Sequence, residues 1–199
     1  MEHPTIESDR SESLRENSIS NEKTTVSIIV PTYCEEKTIE WTLKSIRNQN
    51  FKNGRIETIV VDSNSPDNTR RIASRFADKV VNITRRGVGR ARNAGAREAK
   101  GEILLFLDAD TILDPKFVAK MCESFSDPRV VCITGTVAAL EKLGPLDNFF
   151  SLSHYGVLNE VAAATARLGF PFFPTVCCAC RKSVFEETGG FEEDIAIAE

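Results

Sequence analysis

The sequence predicts an α/β fold: a Rossmann-like, doubly wound and mostly parallel sheet in a single domain. Three observations carry this reading. Short apolar runs alternate with amphipathic stretches. The runs are near-continuous and rich in β-branched residues, as parallel strands covered on both faces require. The segments that carry polar chemistry all follow the carboxyl ends of those runs, where open parallel sheets place their ligand crevice.

In chain order, "VSIIV" (26–30) reads as the first strand, ending at Pro31, and "IETIVV" (56–61) as the second, ending at Asp62. "VVNI" (80–83), "ILLFL" (103–107) and "VVCIT" (130–134) follow. Between them, "EEKTIEWTLKSIRNQ" aligns Ile39, Leu43 and Ile46 at helical spacing, with Glu35 and Glu36 favourable to the first-turn dipole. "DNTRRIASRFA" predicts a helix capped by Asp67 that buries Ile72 and Phe76. "PKFVAKMCESF" predicts one opening at Pro115, with Phe117, Met121 and Phe125 on one face. The β-α alternation implies right-handed crossovers.

The chain has 199 residues and a formal net charge of −4. Residues 1–24 are polar, with six acids against three bases, and predict a disordered tail; residues 25–199 predict the folded domain. No basic face is offered to nucleic acid, which is set aside as a partner. The tail lacks a signal-peptide run and no apolar stretch of membrane-spanning length occurs, so a cytoplasmic location is expected. The six cysteines lack paired metal-ligand spacing, and four lie in apolar runs; they read as small buried hydrophobes, with redox or disulfide chemistry and a metal site as the lesser alternatives.

Four polar segments load one rim of the sheet: "PTYCEE" (31–36), "DSNSPDNT" (62–69), "RRGVGRARN" (85–93) and "DAD" (108–110). Asp108 and Asp110 sit two apart at a strand end, so in an extended segment both carboxylates face one site. Their repulsion calls for a shared proton or a cation. A hard Mg²⁺ or Mn²⁺ completed by phosphate oxygens suits such a pair. Asp62 can accept hydrogen bonds from a base or ribose, or can cap a turn with Ser63 and Ser65. Arg85, Arg86, Arg90 and Arg92 suit a diphosphate, whereas Arg97 and Lys100 read as a solvated helix face.

"VSIIVPTYCEEKTIEWTLKSI", "IVVDSNSPDNT", "GVGRARNAGAREAKGEILLFLDAD" and "RKSVFEETGGFEED" resemble, in this order, the motifs of family 2 glycosyltransferases with the GT-A fold. The resemblance spans about residues 25–199, with a nucleotide-binding half near 25–110 and an acceptor-side half near 111–199. It implies transfer of a sugar from a nucleoside-diphosphate donor, a UDP- or GDP-sugar, to a polyprenyl phosphate, lipid or saccharide acceptor, with inversion and with Mn²⁺ or Mg²⁺. Pro31, Thr32, Tyr33 and Glu35 match the loop framing the base, Asp62 the acid that binds it, and Arg86 and Arg90 the stretch passing base and diphosphate. Asp108 resembles the ribose-side acid and Asp110 the metal ligand; both are metal candidates.

The chain departs from the family in two places. One acid stands at Asp62-Ser63 where two adjacent acids are common. The family's acceptor-activating aspartate follows "GGF" within an acid pair; here the sequence ends at Glu199, so Glu199 and Asp194 are the catalytic candidates and the fold is expected to be C-terminally short. A non-catalytic GT-A module that binds a nucleotide sugar or a partner chain is the alternative. The stretch 143–174 reads as a helix face packed on the core or as an acceptor-side, membrane-surface patch, and His154 within it as structural.

Overall fold

The computed structural model describes residues 24–135 and 176–193. Among them, six strands and five helices occur: β1 Thr24–Thr32, α1 Ile39–Arg47, β2 Gly54–Asp62, α2 Thr69–Ala73, β3 Lys79–Asn82, α3 Val88–Glu98, β4 Ile103–Leu107, α4 Phe117–Ser124, β5 Cys132–Thr134, β6 Cys177–Arg181 and α5 Lys182–Glu187. The strands form one sheet in the order β3-β2-β1-β4-β6-β5. The first four are parallel; β6 is antiparallel to both β4 and β5.

Strand alternation splits the core between two faces. Val26, Ile28, Val30, Val60, Leu105 and Leu107 pack with α1, α2 and α4 on one side. Ile29, Ile59, Val61, Leu104 and Phe106 pack with Ala91 and Ala94 of α3 and with Phe185 of α5 on the other. This is the doubly wound arrangement that continuous apolar runs require. Helix α3 lies very close to the sheet at Gly95, where a Cβ would sit 2.4 Å from a methyl of Ile29.

The structure corrects the sequence reading at several points. Pro31 is not a stop: β1 runs on to Thr32. The β1–β4 ladder ends at Ile29, and the Thr32 carbonyl accepts from Ser63 N on the β2 side, so Pro31 faces the side where no ladder bond is needed. The fifth run is not a parallel neighbour of β4, because β6 inserts antiparallel between them. The N-cap position of α2 is Asn68, one residue later than expected, but its side chain makes no capping bond; Asp67 supplies it, accepting the Thr69 N–H at 3.0 Å, and Ile72 and Phe76 are only half-buried. Helix α4 opens at Phe117, with Pro115 left outside it. Ile39, Leu43 and Ile46 are buried as expected. No helix among the described residues is long and apolar enough to cross a membrane. Residues 1–23, the stretch 143–174 with His154, and both catalytic candidates, Asp194 and Glu199, lie outside the described residues.

Candidate donor site

The carboxyl ends of β1, β2 and β4 and the start of α3 converge on one rim. The first two loops are laced together: Cys34 N donates to Ser65 Oγ at 3.0 Å, Glu35 N to Thr69 Oγ1 at 2.8 Å, and Asn68 N to Glu36 Oε2 at 3.0 Å. Backbone donors met by side chains fix both loops without a ladder. Cys34 and Asn64, at φ 56 and 60, make the tight bends that this lacing demands.

Asp62 ends β2 with no exposed surface. Its Oδ1 accepts from Ser65 Oγ at 2.5 Å, and its Oδ2 accepts from Ser65 N at 3.2 Å and Arg70 Nε at 3.3 Å. In this geometry the carboxylate caps the turn, the second of the two roles read from the sequence. Pro31 and Thr32 are buried beside it; the Thr32 hydroxyl is buried with no hydrogen-bond partner among the described residues.

Tyr33 and Glu35 are half-buried at the rim. The Arg86 guanidinium lies 3.8 Å from the Tyr33 ring centroid and donates to the Tyr33 hydroxyl. Such a stacked cation–aromatic pair is a flat platform of the kind on which a base can rest. Arg90, by contrast, is engaged with Glu193 at 2.8 Å.

Asp108 and Asp110 flank the buried Ala109. The loop is held down by Thr42 Oγ1 donating to Ala109 O at 2.7 Å and by Leu113 N donating to Ser45 Oγ at 3.1 Å. Asp110 is exposed; the Asp108 side chain is one-third exposed and pairs at 3.0 Å with the buried Arg92 guanidinium. Burial pushes the Asp108 carboxyl up, Arg92 pulls it down, and the Asp110 and Glu35 carboxylates push it up again. The Asp108 carboxylate thus feels two neighbouring negative charges, with one buried cation behind it. A hard divalent ion would relieve that repulsion, and the all-oxygen donor set suits Mg²⁺ or Mn²⁺. No three metal-ligating side chains among the described residues form a complete site, so diphosphate oxygens would have to finish the shell.

Sequence reasoning missed the clamp that docks residues 190–193 on α3. Asn93 Nδ2 donates to Phe191 O at 2.8 Å and to Glu193 Oε1 at 3.1 Å, while its Oδ1 accepts from Phe191 N at 2.9 Å. Gly190 turns the chain there at φ +79, and a Cβ on it would lie 2.7 Å from Asn93 Oδ1. Arg97 approaches Glu193 at 3.9 Å. The spacing of Arg90, Asn93 and Arg97 on one helix face was the available signal.

The mostly parallel sheet, with its acids and arginines gathered at the strands' carboxyl ends, defines a GT-A fold. The chain belongs to glycosyl transferase family 2, whose profile matches residues 27–189. It is 30% identical over 118 residues to the glycosyltransferase AglE of Haloferax volcanii, covering 56% of this chain and 39% of AglE. It is 29% identical over 180 residues to the O-antigen chain rhamnosyltransferase WbaN of Salmonella anatum, covering 86% of this chain and 57% of WbaN. The mannosyltransferase PcManGT of Pyrobaculum calidifontis, solved with GDP-Man and Mn²⁺, superposes with a TM-score of 0.66 at 30% identity, over 85% of this chain and 48% of that one. The chain therefore spans about half the length, or less, of the relatives it matches.

Proposed function

We propose that this chain binds a nucleoside-diphosphate sugar at the described rim, with Mn²⁺ or Mg²⁺, and transfers the sugar to an acceptor with inversion at the anomeric carbon. The observation that carries the reading is the electrostatically coupled carboxylates of Asp108, Asp110 and Glu35, backed by Arg92, on the same rim as the Tyr33–Arg86 platform. The binding of GDP-Man and Mn²⁺ by PcManGT supports the same donor class here.

In this reading Tyr33 and Arg86 hold the base, with Pro31, Thr32 and Glu35 framing it. The Thr32 hydroxyl and the turn fixed by Asp62 shape the floor beneath the nucleoside. Asp108, oriented by Arg92, accepts from the ribose side, and Asp110 with Asp108 would hold the divalent ion. When bound, that ion would neutralise charge on the leaving diphosphate and act as a template. Arg90 reaches the diphosphate only by exchanging Glu193 for it. Asp194 and Glu199 are the candidates for general base toward an acceptor hydroxyl; a polyprenyl phosphate, already ionised, would need none. A cytoplasmic location, with contact at the cytoplasmic membrane face for a lipid-linked acceptor, accompanies this reading.

The test is a melting-temperature panel with UDP, GDP and their sugar conjugates, with and without Mn²⁺. A ligand present at about 100 times its Kd stabilises the fold by roughly 2.7 kcal/mol. A metal-dependent rise with one base, lost in Asp110→Asn, is expected; no rise with any donor would refute the reading.

A further inference from the structure

The second feature of chemical interest lies on the antiparallel strands β5 and β6. Cys132 on β5 faces Cys178 and Cys180 on β6, and the Cys132 and Cys178 sulfurs are 3.6 Å apart. All are free thiols. The pairing register sets Cys132 opposite Cys180 and Thr134 opposite Cys178. Arg181 N donates to Val131 O and Gly135 N to Cys177 O, so 131/181 and 135/177 are the hydrogen-bonded pairs. Alternation then makes Cys132/Cys180 a non-hydrogen-bonded pair, about 4.5 Å apart at Cα with both side chains on one face. That separation lies within the roughly 4.4–6.8 Å that a disulfide spans. The diagonal pair Cys132/Cys178, at about 7–8 Å by the same geometry, lies outside it.

We infer that Cys132, Cys178 and Cys180 form an oxidisable thiol site that takes hydrogen peroxide as oxidant, with the half-exposed Cys132 as the attacking thiol, Cys178 as its hydrogen-bond partner and Cys180 as the resolving partner.

The roles follow from position. Among the described residues Cys132 lies on the outermost strand and is half-exposed, so an oxidant can reach it; Cys178 is buried. The hydrogen bond from Cys178 lowers Cys132 to about 7 in spite of burial, and pushes Cys178 strongly up. Exposure and this direction of shift both favour Cys132 over Cys178 as the member of the pair that reacts as thiolate. The Cys132 thiolate attacks one peroxide oxygen and the O–O bond breaks; the departing hydroxide, protonated, leaves as water and Cys132 becomes a sulfenic acid. The Cys180 sulfur then displaces the sulfenic hydroxyl, which takes the Cys180 proton and departs as a second water. The two thiols are oxidised by two electrons and the peroxide is reduced by two. No three-ligand metal group is formed by these cysteines among the described residues, so the soft-metal alternative lacks a site.

The inference is independent of the donor-site reading, and its test uses the full reduced chain. The protein is treated with equimolar hydrogen peroxide, trapped with N-ethylmaleimide under denaturing conditions, and mapped by mass spectrometry. Two fewer maleimide adducts are expected, with one cross-linked peptide pair joining Cys132 to Cys180. In Cys180→Ser, Cys132 should instead accumulate as a dimedone-trappable sulfenic acid. Six adducts after oxidation, or a Cys132–Cys178 linkage, would overturn the assignment, and both are read on the unaltered protein.

Discussion

The parallel and antiparallel halves of the sheet support the same rim in different ways. In the parallel half, β1 pairs with β2 over nine positions, and the buried carboxyl ends deliver Asp62 and Asp108 as side chains. In the antiparallel half, β5 has three residues, all half-buried, and β6 runs the other way. It therefore brings its amino end to the rim and contributes main chain: Val176 O accepts from Asp108 N at 3.0 Å. One half supplies the rim side chains, and the other holds the Asp108 main chain in place. The position of Asp108 depends on both.

The sharpest way to break this arrangement is at the joint. Phe106, fully buried on β4, pairs in register with Cys178 and meets Phe191 edge-on at 4.9 Å and Phe185 at 5.3 Å. Phe106→Ala should cost about 3–5 kcal/mol, as deletion of a buried aromatic usually does. Denaturant unfolding followed by circular dichroism would measure it. A loss below about 1 kcal/mol would mean that the halves are not joined through this ring.

Within the parallel half, Asp62→Asn tests a carboxylate whose two oxygens serve Ser65 and Arg70. The amide can keep one acceptor but not both. A loss of about 1–3 kcal/mol is expected, with donor affinity falling because the turn loosens. If stability is unchanged while nucleotide binding disappears, Asp62 contacts the base directly and the turn-capping role is secondary.

Asp110→Asn should affect binding rather than stability. The side chain is exposed, so a folding change within about 0.5 kcal/mol is expected. Metal-dependent nucleotide affinity, measured by calorimetry with Mn²⁺ present, should fall by at least tenfold. An equal loss with and without the ion would remove Asp110 from the metal role.

The contrast between the halves also explains what could be read from the sequence. The four parallel strands announce themselves locally, because each is an apolar run closed by a polar segment, buried in β1, β2 and β4 and half-buried in the short β3. The insertion of β6 between β4 and β5 is set by pairing across a long separation, and "CCAC" carries no mark of direction. Asp108 and Asp110 were legible as a pair, but the buried partner of Asp108 was not, since Arg92 looked like one of four equivalent arginines. Only three-dimensional packing sorts them: Arg86 onto Tyr33, Arg90 onto Glu193, Arg92 behind Asp108. The cysteines were read as core, which suits Cys177 and Cys178 but not the exposed Cys34 or the half-buried Cys122, Cys180 and Cys132.

That last residue gives the smallest effect and a clean one. Cys132 is held near 7 against an ordinary 9.0 by the hydrogen bond from Cys178. Thiolate fraction rises with pH, so its alkylation by iodoacetamide should climb through a midpoint near pH 7 and then level off. Cys122, pushed up to about 11 by burial, should still be accelerating well above that and serves as an internal reference. Replacing the donor by Cys178→Ala should move the Cys132 midpoint upward, toward the ordinary thiol value, while Cys122 stays where it was. A midpoint that does not move would mean that something other than Cys178 holds the thiolate.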